Sequence, residues 1–459
     1  MLLRPNVQFQ ANPPRRNLDP SGNKQRKSLK FFLLGLVVLI VGSLGWITVS
    51  GIIAFKNIYA KNADDRSSFF RHNGEISPDE LLGEGDSRIN ILSLGVDQAA
   101  GLADSIEVIS IDPINKKMAL LSVPRDLYVY NSAEKRQTKI NEVYNSGIAA
   151  CQAAKKTCDP KVDAGGALMK KTISDTLGIQ ISYFAKVDFG GVKKIVDLLG
   201  GIQVYVDKAI YDPKYPNSTN TGFDPFSIKA GLQNLNGETA LKYARSRQTT
   251  SDFDRARRQQ QVISSVRNKA FQLNFLANPK KVTDLLSTVG RNFKTDLQSN
   301  EIVSLAKLIA DIDNTDTTSA ILDNGPTGPL VSSTNSIGQY ILIPKLGQTD
   351  WSEVQEFAMT ALPEPYLIKE AARIKIVDAT GKKDAGTTLK KKLTSFGYTV
   401  NHVEIASTTQ KTSSITYTAD KPYTTALLKR RFGLKPTESK SNSQSEDIVF
   451  TIGMAFSLK

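Results

Sequence analysis

Short runs of Ile, Leu and Val alternate along the chain with polar turns and with stretches whose apolar residues recur at helical spacing. Ile89–Gly95 and Ile106–Ile111 predict buried strands, and the turn chemistry of Asp112–Lys117 leads into a third at Met118–Val123. Gly165–Leu177 and Gly191–Leu199 predict helices; Gly200-Gly201 ends the second before a strand at Ile202–Val206. Leu235–Ala244, Asp254–Phe271 and Ser299–Ala310 predict further helices, the middle one placing Val262, Ile263, Val266 and Ala270 on one face. Asp311–Thr334, rich in Asp, Thr, Ser, Asn, Gly and Pro, predicts a loop, and Asp350–Leu362 a short helix ended by Pro363-Glu364-Pro365. A smaller module follows from Arg373: strand Ile374–Val377, helix Ala385–Phe396, strands Tyr398–Glu404 and Ser414–Thr418, helix Tyr423–Phe432 and strand Ile448–Ile452. The pattern is α/β in both parts.

One run breaks this pattern. Phe31–Phe55 is 25 residues without a charge, long enough to span a bilayer as a helix, which takes about 20. A cleaved signal peptide is the alternative, but its apolar region is usually about 7–15 residues. The preceding residues 1–30 carry seven Lys/Arg and one acid, Asp19. By the positive-inside rule the N-terminus is then cytoplasmic and everything after the span is extracytoplasmic. The expected organisation is a basic tail at 1–30, a single-pass anchor at 31–55, a polar stalk at 56–85, a large domain at 86–362 and a C-terminal domain at 373–458. Net charge is +14 over 459 residues. With this topology the charge points to membrane lipid and phosphate-rich ligands, and no nucleic-acid partner is expected. Two Cys and two His in the whole chain make a closed zinc site improbable. Cys151 and Cys158 fit an oxidising compartment, either as a local disulfide or as two thiols.

Three clusters could carry chemistry. Asp97 and Asp104 stand at the end of one strand and before the next, where α/β sheets bind ligands. Two such carboxylates suit Mg2+, which takes a few carboxylates beside phosphate and water oxygens; a turn cap and a solvated side chain are the alternative. Val123-Pro124-Arg125-Asp126 ends a strand, and Lys139-Ile140-Asn141 follows. Arg125 offers a fork of donors and Lys139 a point charge for phosphate oxygens, unless both only make surface ion pairs. The window Leu241–Arg258 holds six Lys/Arg and two Asp, with Arg245 and Arg247 near one helix end and Asp254, Arg255 and Arg258 opening the next. Metal-binding carboxylates beside several cations can hold a diphosphate. His72 and His402 offer no Ser–His or Cys–His pairing, so covalent hydrolase chemistry has little support.

In order, LGVD (94–97), DS (104–105), VPRD (123–126), KIN (139–141), VDFGGVKKIVDLLGGI (187–202), LNGETALKYARSR (235–247) and DFDRARRQQQ (252–261) resemble the LytR-CpsA-Psr family over about residues 86–310. The module at 373–458 resembles the C-terminal domain that often accompanies it. The resemblance implies a central mixed sheet flanked by helices, and a membrane-anchored extracytoplasmic phosphotransferase. Such an enzyme moves a glycopolymer from a polyprenyl-diphosphate carrier to a cell-wall (peptidoglycan) hydroxyl with Mg2+, or Mn2+ in its place. It implies Asp97 and Asp104 as metal ligands, and Arg125, Lys139, Arg245, Arg247 and Arg255 as diphosphate contacts; Arg258, three residues after Arg255 and so on the same helical face, is expected to join them. Arg125, Asp254 and Arg255 would be catalytic, Asp254 as base for the acceptor hydroxyl. An apolar groove would take the lipid. Leu102 stands where family members usually carry Arg, so one phosphate contact is missing. A polyprenyl-diphosphate pyrophosphatase and a non-catalytic wall-polymer scaffold are the competing readings.

Overall fold

The strands expected at 89–95, 106–111 and 118–123 form the middle of a six-stranded mixed sheet. Its order is Phe293–Thr295, Tyr183–Asp188, Ile89–Asp97, Leu102–Asp112, Lys117–Ser122, Thr317–Ile321. This computed structural model describes residues 66–457 apart from 98–100, 155–161, 218–220, 247–251, most of 274–286, 440–445 and positions 73, 75, 82, 84 and 419. Ile89–Asp97 runs antiparallel to Leu102–Asp112 and parallel to Tyr183–Asp188. Both faces are covered, which is why the central strand reads as a nearly continuous apolar run instead of alternating. On one face Leu92, Leu94, Val108 and Leu121 meet Ile140 and Val143 of the helix Ile140–Ala153, Met169 and Ile173 of Ala164–Leu177, and Val354 of Ser352–Ala361. On the other, Ile89, Ile91, Ile111 and Tyr183 pack against Leu305 of Ser299–Ala310.

Beside the sheet, the helices Phe189–Leu198, Gly237–Arg245 and Asp252–Gln272 close over two small antiparallel ladders around Val196, Val204, Tyr215, Phe226, Ala240 and Val262. Each of the first two helices begins on a side-chain cap: Asp188 accepts from Gly191 N–H at 2.9 Å, and Asn236 from Thr239 N–H at 2.9 Å. Gly237 lets them touch, since a Cβ there would lie 2.3 Å from the Lys193 carbonyl oxygen.

The C-terminal module is a five-stranded sheet, ordered Thr399–Ile405, Arg373–Ala379, Ile448–Gly453, Ser414–Tyr417, Thr437–Glu438, with the helices Ala385–Ser395 and Pro422–Phe432. Ile76 and Leu81, from the segment expected as stalk, are buried in its core with Tyr366 and Leu367. Tyr423 Oη donates to the Ile76 carbonyl at 2.7 Å.

Two readings need correction. Asp311–Thr334 is not all loop: Thr317–Ile321 and Leu330–Thr334 are strands. Their Thr- and Ser-rich sequence lacks a buried-strand signature because both are half exposed, and the first is held by parallel pairing to Lys117–Ser122, nearly two hundred residues earlier in the chain. A helix, Pro365–Glu370, starts on the second proline of the pair read only as a stop. The anchor expected at 31–55 lies outside the described residues, among which no helix is long and apolar enough to cross a membrane. Cys151 is disulfide-bonded; Cys158 lies outside the described residues.

Candidate active site

The site sits where the two central strands end. Between Gly95 and Val96 the register with Leu102–Asp112 shifts by a bulge, a device that re-aims the side chains beyond it. Gly95 is needed there because a Cβ would come 2.9 Å from Ser105 Cβ. Asp97 and Asp104, on the two strands, both line a cavity of about 450 Å3 that also receives Arg245 and Arg255. Much of the remaining wall is apolar: Val187, Phe189, Val192, Leu241, Val262 and Ile263. A second cavity of about 180 Å3 shares Asp104, Arg255 and Gln259 with the first and is bounded by Ser122, Arg125, Phe253 and Tyr340. Asp104, Arg255 and Gln259 therefore form a polar partition between an apolar chamber and a smaller polar one.

Opposite charges alternate across this partition. Arg125 Nη1 meets Asp104 Oδ1 at 2.7 Å, and its Nε lies 3.6 Å from Asp126 Oδ2. Lys139 Nζ holds Asp126 Oδ1 at 2.7 Å. The backbone aligns these motifs: Ile140 N–H donates to the Leu127 carbonyl at 2.8 Å, and Tyr128 pairs with Lys139 in a short hairpin. Lys139 thus stands one residue behind Arg125, lines neither cavity, and acts on the site through Asp126. Arg245 lies 3.7 Å over the Phe189 ring, a cation–π contact that holds the guanidinium at the chamber wall. Arg255 is only 6% exposed. Ser105 Oγ donates to Gln259 Oε1 at 3.0 Å, tying the strand that carries Asp104 to the helix that carries Arg255.

Two expected site residues are turned elsewhere. Arg258 is 5% exposed and lines neither cavity; it donates through Nε to the Tyr243 carbonyl at 3.0 Å and through Nη2 to the Ser246 carbonyl. It serves the end of the helix Gly237–Arg245, whose last carbonyls need donors. Asp254 is 41% exposed, pairs with Arg257 at 2.8 Å and lines neither cavity. Successive helical residues are about 100° apart, so with Arg255 facing the sheet its neighbour Asp254 faces the flank. Arg247 lies outside the described residues. Replacing Arg258 by Ala is expected to destabilise the protein by about 2–4 kcal/mol, since two buried carbonyls lose their donor; denaturant unfolding would measure it.

Sequence reasoning missed Gln259, Asp212 and Tyr215 in the chamber wall. Gln259 lay inside a quoted motif and was hidden by its charged neighbours. The YDPKYP segment (211–216) carried a usable signal, two aromatics and charges in a Pro-broken turn. Asp212 is 2% exposed and accepts from Ser246 Oγ at 2.8 Å, so it fixes the segment leading away from Arg245.

Among the described residues no group of three or more His, Cys, Asp and Glu forms a closed metal site. Two carboxylates facing one cavity do fit a Mg2+ ion that takes its other oxygens from phosphate and water.

Two sets of relatives can be placed beside this geometry. The Staphylococcus aureus regulatory protein MsrR is 36% identical over 207 residues, 44% of this chain and 55% of that one, so the match spans about half of the relative. The Oceanobacillus iheyensis polyisoprenyl-teichoic acid–peptidoglycan teichoic acid transferase TagU is 29% identical over 318 residues, 66% of this chain and 88% of that one. The crystal structure of Bacillus subtilis TagV matches at 25% identity and a TM-score of 0.46, over 60% of this chain and 97% of that one. Residues 371–456 match the family described as LytR cell envelope-related transcriptional attenuator. Residues 47–329, more than half of the chain, match the LytR-CpsA-Psr family, and the protein belongs to that family.

Proposed function

We propose that this protein transfers a glycopolymer phosphate from a polyprenyl-diphosphate carrier to a peptidoglycan hydroxyl. The observation that carries the reading is the convergence of Asp97, Asp104, Arg245 and Arg255 on one otherwise largely apolar chamber. An apolar chamber accommodates a prenyl chain, and the charged partition is suited to the diphosphate at its head. The naming of the TagU relative as a polyisoprenyl-teichoic acid–peptidoglycan transferase supports the same chemistry. In this reading residues 31–55 anchor the chain in the membrane with the N-terminus cytoplasmic, and the catalytic domain acts outside, where both lipid carrier and wall are within reach.

Arg255 and Arg245 would neutralise charge on the phosphoryl oxygens from two sides, and Arg125 would do so from the smaller cavity. Asp104 and Asp126 hold Arg125, and the Phe189 ring holds Arg245, before substrate arrives, so little reorganisation remains for the reaction itself. Asp97 and Asp104 would hold Mg2+, whose contribution when bound is to offset the diphosphate charge.

The full chain in detergent should release polyprenyl monophosphate from a polyprenyl-diphosphate-linked glycan and leave the glycan covalently on peptidoglycan. Monophosphate without glycan on the wall would make the enzyme a pyrophosphatase; neither product would sink the assignment. Asp97→Asn is expected to raise the Mg2+ concentration for half-maximal rate by about tenfold or more, because ligand charge sets affinity. An unchanged Mg2+ titration would remove Asp97 from the metal site.

A further inference from the structure

With Asp254 turned to the flank, another group must take the proton of the acceptor hydroxyl. Glu107 is 1% exposed and lines neither cavity itself, but the strand that carries it runs between two strands whose residues do. Its cross-strand partners are Ser93, which lines the larger cavity, and Ser122, which lines the smaller. Ser122 Oγ donates to Glu107 Oε1 at 2.7 Å and accepts from Gln260 Nε2 at 3.1 Å. Glu107 Oε2 has no hydrogen-bond partner among the described residues. A buried carboxyl with one oxygen unsatisfied weakens a fold. Groups retained at such a cost are characteristic of working sites.

We infer that Ser122 and Glu107 form a proton relay for an acceptor hydroxyl bound in the smaller cavity. The relay rests on the transferase reading above. The Gln260 bond occupies one Ser122 lone pair and directs the Ser122 hydrogen to Glu107, leaving the second lone pair for the acceptor. As the acceptor oxygen forms its bond to the glycan-bearing phosphorus, its proton passes to Ser122 Oγ and the Ser122 proton passes to Glu107. The bond from that phosphorus to the bridging oxygen breaks, and polyprenyl phosphate leaves with the electron pair. Glu107 then returns its proton through Ser122 to solvent. The side chains facing Glu107 are Ser93 and Ser122 from the adjoining strands and Gln260 through Ser122, all uncharged. Charged groups of the same elements that line the cavities are Asp97, Asp104 and Arg255. Burial pushes the Glu107 carboxyl up to about 7, so it accepts a proton well only above neutrality, near the working range of a general base.

The test uses the full chain in detergent, a short-chain polyprenyl-diphosphate disaccharide and a soluble uncrosslinked peptidoglycan strand. Glu107→Gln is expected to lower transfer about 10²-fold at pH 8, to remove the rise of rate with pH through neutrality, and to raise Tm at pH 8. Ser122→Ala should lower transfer comparably, and the double variant no further than either single change. Transfer by Glu107→Gln within twofold of wild type, with its pH profile intact, would overturn the relay. So would a loss of rate accompanied by a lower Tm at pH 8, which assigns Glu107 a structural role. Absence of any transfer by the wild type would fail the transferase reading itself, and the relay with it.

Discussion

Arg255→Ala is expected to lower turnover about 10²- to 10³-fold, the loss typical of removing one preorganised donor aimed at developing charge. Among the described residues Arg255 is the cation that lines both cavities, and at 6% exposure its charge is poorly screened by water. Arg255→Lys should recover little of the loss, because an ammonium cannot reproduce the planar fork of donors. Polyprenyl monophosphate release reads the rate, and Tm measured on the same samples separates catalysis from folding. Turnover near wild type in a folded Arg255→Ala protein would remove Arg255 from the site.

The second large effect is on stability. Burial pushes Glu107 and Glu364 each from 4.5 up to about 7. Glu364 accepts from Gly85 N–H at 2.6 Å and from Ser87 Oγ, which lowers its pKa but does not outweigh desolvation. Between pH 4.5 and about 7 the folded protein holds two protons that the unfolded chain has released. Stability therefore falls as pH rises through that window, by about 3 kcal/mol for each carboxyl. Tm should be highest near the acid end and drop toward pH 8, with Glu107→Gln removing about half of the slope. A Tm that is flat from pH 5 to 8 would contradict this. A separate loss belongs at lower pH: Arg373 holds Asp447 below the usual carboxylate range, so that contribution disappears as pH falls below 3.8 toward its lowered value.

The local signals that proved readable were those with a short-range physical cause. Gly200-Gly201 ends its helix because both glycines adopt positive φ, of 73° and 89°. The 112–117 turn closes on Asp112, whose Oδ1 accepts from the N–H groups of Ile114 and Asn115. Strands with partners far along the chain were harder to read. Thr317–Ile321 and Phe293–Thr295 are short edge strands defined by what they pair with, and their own residues say little.

The site divides along the same line. The order and type of charged residues, from Asp97 to Arg255, was written in the sequence and pointed to a diphosphate. Which of them converge was not. Asp254, Arg255 and Arg258 share one highly charged helix start, and only its packing against the sheet sends Arg255 inward, Arg258 to the carbonyls of Tyr243 and Ser246, and Asp254 to Arg257. Glu107 gave no sign of importance either, as one acid in an apolar strand. Its meaning comes from Ser122 on one neighbouring strand and the closed surroundings that raise its pKa. The sequence by itself determined the α/β pattern, the long uncharged run at 31–55 and which charged residues were available to a site. Tertiary structure decided which charges face a cavity and which face the protein, because a side chain's environment is set by elements distant in sequence.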